Sequence, residues 1–291
     1  MKSLFTHKDE KEGNIGIGKL PNELHPILDD ISKEYYNIIP DKKASTFHTW
    51  YNEMPFLIKS KVYKIQNHSF WNEITREKSM IINVNEMDEL YYSNPQNDLY
   101  KNNLYGTVVN YGVHRDGIYN FGGIKFYRVI IGLTDGNDNI ITRFNNLDVG
   151  HKINKGDYII FDFDKSSHHV IKERNKLTPR ILLKIHFIIS EKGYSKKYVE
   201  VIKSFYLYYE FITRYITKTG TDPETYYQFF LGLGTQYFYE KNIQYVIASI
   251  VLFNIFIFQL YNVLNNFYCL LIIYSSIVFF YWLRYKLVGI R

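Results

Sequence analysis

The sequence is poor in cysteine, proline, methionine and tryptophan. Its single cysteine, Cys269, lies in an apolar run, so no disulfide can close within the chain and no cysteine-rich zinc site can be built. A reducing compartment is compatible with that. The first fourteen residues, MKSLFTHKDEKEGN, hold no apolar stretch, so no signal peptide is expected there. Basic residues are not gathered: the formal charge of +6 is spread thinly among acids. That pattern argues against a nucleic-acid partner. A phosphate-binding loop is missing too. Gly13-Asn14-Ile15-Gly16-Ile17-Gly18-Lys19 mimics one, but Leu20 stands where Ser or Thr is required and a charged run precedes it. The segment is read as a flexible loop in a polar N-terminal extension, residues 1–45.

Charge is absent from Asn242 to Leu283, between Lys241 and Arg284. One helix over that run would be about 60 Å long, twice the roughly 30 Å of a bilayer core. Two antiparallel spans fit better, Ile243–Val263 and Phe267–Leu283, turning at Asn265-Asn266. Tyr281, Trp282 and Tyr285 fall where an aromatic belt belongs, and the basic residues flank both ends of the hairpin. The expectation is an integral membrane protein in contact with the lipid bilayer, with residues 241–291 as hairpin and tail and the folded domain facing the cytoplasm.

What the chain does have is apolar and aromatic bulk: 46% hydrophobic residues, including 28 Tyr and 21 Phe, enough for one sizeable core. From residue 46 to 190, short apolar runs alternate with Gly, Asn and Asp. Gly106–Val109, Tyr127–Leu133, Asn139–Phe144, Asp157–Phe161 and Ile181–Ile189 are the clearest strands. Together they predict a mainly β sandwich or barrel. Residues 191–240 read as a helical, aromatic-rich segment, with Asp222-Pro223-Glu224 as a helix start.

Within the β region, His114-Arg115-Asp116 places an imidazole and a carboxylate two positions apart, hence on one side of a strand. A third ligand from a distant strand would complete a facial triad with open metal positions. His168 follows the strand Asp157–Phe161 and a polar turn. His169 is its neighbour, and only one of the two can face the metal. His151, in a polar turn, and His186, in an apolar strand, are rival candidates. Asp162 and Asp164 read as turn or supporting groups. Arg180 opens a further apolar strand, where its planar fork suits a carboxylate.

These pieces resemble the aspartyl/asparaginyl β-hydroxylases of the 2-oxoglutarate oxygenase superfamily. The pieces are His114-Arg115-Asp116, Arg128-Val129-Ile130-Ile131-Gly132-Leu133, Gly156 to His168, and Arg180-Ile181-Leu182-Leu183. The likeness covers about residues 95–190 and is closest in motif to the membrane-bound lipid A hydroxylases. It implies a double-stranded β-helix, or jelly-roll, core with flanking helices. It also implies Fe(II) on His114, Asp116 and His168, with 2-oxoglutarate as cosubstrate held by Arg180 and Arg128. The implied reaction hydroxylates an unactivated C–H of a peptidyl Asp- or Asn-type side chain or of a lipid acyl chain, so the partner would be a protein or lipid substrate at the membrane. Two other readings stay open: a β-sandwich binding module without turnover, and a structural envelope protein of a membrane.

Overall fold

The most apolar-rich stretch of the β region, around residues 181–189, is buried on both faces, and the rest of the fold is arranged about it. The computed structural model describes residues 4–9, 11, 13–40, 42, 46–74, 79–94, 115–117, 123–136, 140–144, 149–172, 178–190, 194–221 and 275. In chain order the main elements are β1 (Ile15–Lys19), α1 (His25–Ile38), β2 (Thr46–Trp50), α2 (Phe56–Gln66), β3 (Met80–Asn83) and β4 (Glu89–Ser93). Then come β5 (Ile124–Gly132), β6 (Ile140–Phe144), β7 (Val149–Lys152), β8 (Asp157–Asp162), β9 (His168–Lys172), β10 (Arg180–Ser190) and α3 (Lys196–Thr221).

Seven strands form one antiparallel sheet in the order β1-β8-β5-β10-β4-β2, with β3 also paired to β10. Three more form a second sheet, β7-β6-β9. Strand β10 pairs with β5 from Leu182↔Gly132 to Ser190↔Ile124. Because side chains alternate, each strand of the large sheet feeds two layers. Ile181, Leu183, Ile185, Phe187 and Ile189 join Tyr127, Val129 and Ile131 under α1 and α2. Leu182, Ile130, Ile159 and Phe161 point the other way and meet Phe144 of the small sheet. This two-sheet, antiparallel, mainly β arrangement agrees with the expected jelly-roll core.

The helices form where the sequence repeats apolar residues at helical spacing. In α1, Leu28, Ile31 and Tyr35 are wholly buried, and Pro26 sits in the first turn. The helix stops at Ile38 because Ile39 precedes Pro40 and is extended. Tyr35 anchors α1 by donating its hydroxyl to Leu90 O at 3.1 Å. In α2, Ile58, Val62 and Ile65 face the same core.

Two sequence expectations change here. The glycine-rich stretch read as a loop forms β1, on the edge of the large sheet against β8. Its glycines allow close cover: a Cβ on Gly16 would meet Ile160 at 2.6 Å, and one on Gly18 would meet the Tyr158 hydroxyl oxygen at 2.7 Å. The expectation of an integral membrane chain with its domain facing the cytoplasm is corrected as well. Among the described residues no helix is long and apolar enough to cross a membrane. The longest, α3, has 26 residues, but Lys196, Lys197, Glu200, Lys203, Glu210, Arg214 and Lys218 interrupt it. Among its described side chains, a stripe with Val199, Ile202 and Tyr206 is buried. The run Asn242–Leu283, apart from Ser275, lies outside the described residues, as do Gly106–Val109 and the helix start at Asp222.

Candidate active site

The interior face of the large sheet is apolar at its centre and polar along β10, where Arg180, Lys184 and His186 share one side. Opposite β10 lie Ser93 beside Arg180 and Glu89 beside Lys184, both on β4. On the other flank Arg128 of β5 stands beside His186.

Asp116 lies in the short described segment 115–117, which Gly117 fastens to the end of β8 by donating its N–H to Phe163 O at 2.8 Å. That contact carries the Asp116 carboxylate to the first residue of β9. Its Oδ2 is 3.8 Å from His168 Nε2. His168 is buried, and its ring lies 4.9 Å from that of Phe161 and 5.6 Å from that of Phe144. Its Nδ1 is 3.2 Å from Ser166 O. A carbonyl only accepts, so Nδ1 carries a proton, and in the neutral ring Nε2 then holds its lone pair on the side of Asp116. His169, one residue on, is only half-buried and alternates to the other side of β9.

A carboxylate and an imidazole in its neutral form, facing each other, are a donor pair for a divalent ion. Ligands about 2.1 Å from one ion stand about 3 Å apart at a right angle, so this pair is close enough to share one. The backbone carbonyl behind Nδ1 is the support that metal-binding imidazoles commonly have. The residues present therefore fit a resident metal. Among the described residues no group of three His, Cys, Asp or Glu donors converges; His114, the third expected ligand, lies outside them.

Arg128 was read from the sequence as a second cosubstrate residue. Its Nη1 is 2.8 Å from Asp116 Oδ2, and its Nε donates to His186 Nε2 at 2.8 Å. The guanidinium also lies 4.6 Å over the Phe163 ring. Burial works against its charge, but Asp116 first, then Glu210 and Glu89, more than offset that and raise its pKa. Arg180, by contrast, is buried at the start of β10, across the ladder from Ser93.

Several buried polar neighbours of these residues gave no signal in the sequence. Asp88, fully buried, accepts the His186 backbone N–H at 3.1 Å and faces His186 Nδ1 at 3.3 Å. Gln66 of α2 donates to His186 O at 2.9 Å. Glu89 contacts His48 of β2 and is 2.9 Å from Lys184 Nζ. These groups are far apart in the chain, and only strand register assembles them. His186, a rival ligand candidate in the sequence, is thus a bonded core residue. His151 lies half-buried on β7, where burial lowers its pKa. Asp162 caps its own turn, accepting the N–H groups of Asp164 and Lys165. Asp164 accepts a hydrogen bond from the Tyr206 hydroxyl of α3.

No protein-family model and no curated protein sequence matches the chain. Solved structures similar to it include the viral collagen prolyl hydroxylase vCPH of Paramecium bursaria Chlorella virus-1 in complex with 2OG. That match has 16% identity and a TM-score of 0.38, and covers 61% of this chain and 96% of that one. A 2OG-Fe(II) oxygenase family oxidoreductase from Burkholderia pseudomallei matches at 11% identity and a TM-score of 0.40, covering 60% and 83%. A prolyl 4-hydroxylase structure from Phytophthora capsici matches at 9% identity and a TM-score of 0.42, covering 81% and 84%.

Proposed function

We propose that this chain is an Fe(II)- and 2-oxoglutarate-dependent dioxygenase that hydroxylates an unactivated C–H. The observation that carries the reading is the meeting of Asp116 and His168 at 3.8 Å inside the barrel. Asp116 and His168 hold the iron with His114, and the Arg180 fork takes the far carboxylate of 2-oxoglutarate. When bound, the iron and the cosubstrate supply the oxidising chemistry. The chain supplies geometry and dryness: the Phe144 and Phe161 rings beside His168 keep water from its buried side. Arg128, set on Asp116 and His186, serves the metal carboxylate more directly than the cosubstrate. The substrate class follows the sequence resemblance: a peptidyl side chain of the Asp or Asn type, or an acyl chain.

Titration of the full chain with Mn(II), then with 2-oxoglutarate, tests this, followed by succinate release with Fe(II) in air. The wild-type chain is expected to bind the metal and then the cosubstrate. Asp116→Ala and His168→Ala are each expected to lose metal binding and succinate release together. A wild-type chain that binds neither Mn(II) nor 2-oxoglutarate sinks the proposal and leaves a β-sandwich binding module.

A further inference from the structure

We infer that Asp88, His186 and Arg128 form a buried positioning relay that holds the Asp116 carboxylate ready for the metal. The inference rests on the metal reading above but concerns residues outside the triad. The relay runs across three sequence-distant elements. Gln66 of α2 donates to His186 O at 2.9 Å and reaches Asp88 Oδ1 at 3.4 Å. Asp88 Oδ1 accepts the backbone N–H of His186 at 3.1 Å and faces its Nδ1 at 3.3 Å. Arg128 Nε meets His186 Nε2 at 2.8 Å, and Arg128 Nη1 meets Asp116 Oδ2 at 2.8 Å.

Donor logic fixes the direction of every link. A guanidinium Nε can only donate, so His186 Nε2 must accept. The imidazole then carries its proton on Nδ1, toward Asp88, which as a carboxylate accepts. His186 is therefore held in one tautomer by a carboxylate on one side and presents a lone pair to Arg128 on the other. Arg128 is gripped at Nε, so its far end can deliver Nη1 to Asp116 in one orientation only. Asp88 and His186 are both fully buried, and Arg128 is nearly so, which leaves little room for other rotamers.

The residues are not interchangeable with a simple positive charge. A lysine at 128 would keep the charge but could not bridge His186 and Asp116 at once, because it lacks the fork. Phenylalanine at 186 would keep the ring shape but drop both hydrogen bonds. Glutamine there restores an acceptor near the position of Nε2.

The test is Mn(II) titration by calorimetry on the full chain, with the melting temperature of each metal-free variant recorded alongside. Arg128→Lys and His186→Phe are expected to weaken Mn(II) binding at least about tenfold. His186→Gln is expected to recover most of that loss. A role in folding alone would lower melting temperatures and leave Mn(II) affinity within about twofold of wild type in both variants, and that result overturns the relay. If His186→Phe does not fold, Arg128→Lys and His186→Gln decide by the same criterion: loss in the first with near-normal binding in the second supports it, and equal affinities overturn it. Asp116→Ala separates the two levels. If it loses Mn(II) while Arg128→Lys does not, the relay falls and the metal site stands. If Asp116→Ala binds as wild type does, the metal site falls and takes the relay with it.

Discussion

At the residue scale, the two buried arginines have different neighbours. Arg128 sits opposite His186 in the β5–β10 ladder and reaches Asp116. Arg180 is the first residue of β10, beside Ser93. A planar fork at that end is suited to a carboxylate in a way that a lysine is not, since an ammonium gives no paired donors. Arg180→Lys is accordingly expected to weaken 2-oxoglutarate binding about tenfold, equivalent to about 1.4 kcal/mol, and to leave Mn(II) binding unchanged. Cosubstrate titration of the Mn(II)-loaded variant checks this. Equal weakening of metal and cosubstrate would show instead that Arg180 supports the whole pocket. Asp116, His168 and Arg180 stood out in the sequence because chemistry restricts which side chains can bind a metal or a dicarboxylate, and the fold brings the first two to 3.8 Å. The choice between His168 and His169 was not legible in the sequence: alternation says that one of the pair faces inward, and only the seating of β9 against Phe161 says which.

At the element scale, α3 is joined to the site by more than apolar contact. Its Tyr206 ring stacks on Phe126 of β5 at 4.2 Å, and its hydroxyl donates to Asp164 in the turn leading to His168. A hydrogen bond to a charged group contributes about 1.5 to 3 kcal/mol. Tyr206→Phe keeps the stacking and removes only the hydroxyl, so a loss of about 2 kcal/mol is expected in urea unfolding, with the denaturant slope unchanged. A loss below about 0.5 kcal/mol would assign the docking of α3 to its apolar stripe alone. Strands β5, β6, β8 and β10 were readable because each is a bounded apolar run. The elements before residue 70 were harder. In β1 the glycines imitate a loop, and strand identity comes from pairing with β8, a long-range contact that no local pattern announces. In α2, FLIKSKVYKIQ leaves Phe56 and Leu57 exposed, which blurs its amphipathic face. The relay behind Asp116 was invisible for the same reason as β1, since register alone places Asp88 and Gln66 beside His186.

At the scale of the whole molecule, the charges that the barrel buries link its stability to pH. Glu89 is the clearest case. It lies on β4 and contacts His48 of β2 and Lys184 of β10, so one carboxylate ties three neighbouring strands of the large sheet. Burial alone would raise its pKa, but Lys184, then His48 and Arg128, outweigh burial and hold it well below the ordinary carboxylate range. A depressed folded-state pKa means that the unfolded chain binds the proton more readily. The stability this gives is fully present above the unfolded value, about 4.3, and drains away as pH falls below it. Glu89→Gln removes the titration and strands Lys184 without its partner. At neutral pH the variant is expected to be less stable by about 3 kcal/mol, the usual cost of breaking a buried pair from one side. The gap should narrow as the pH drops from about 5 toward 3, because the wild type loses what the variant no longer has. Denaturant unfolding at a series of pH values measures both curves. Curves that stay parallel from neutral to acid pH would place the acid lability of the barrel elsewhere, with Asp116 and its Arg128 partner as the next carboxylate to examine.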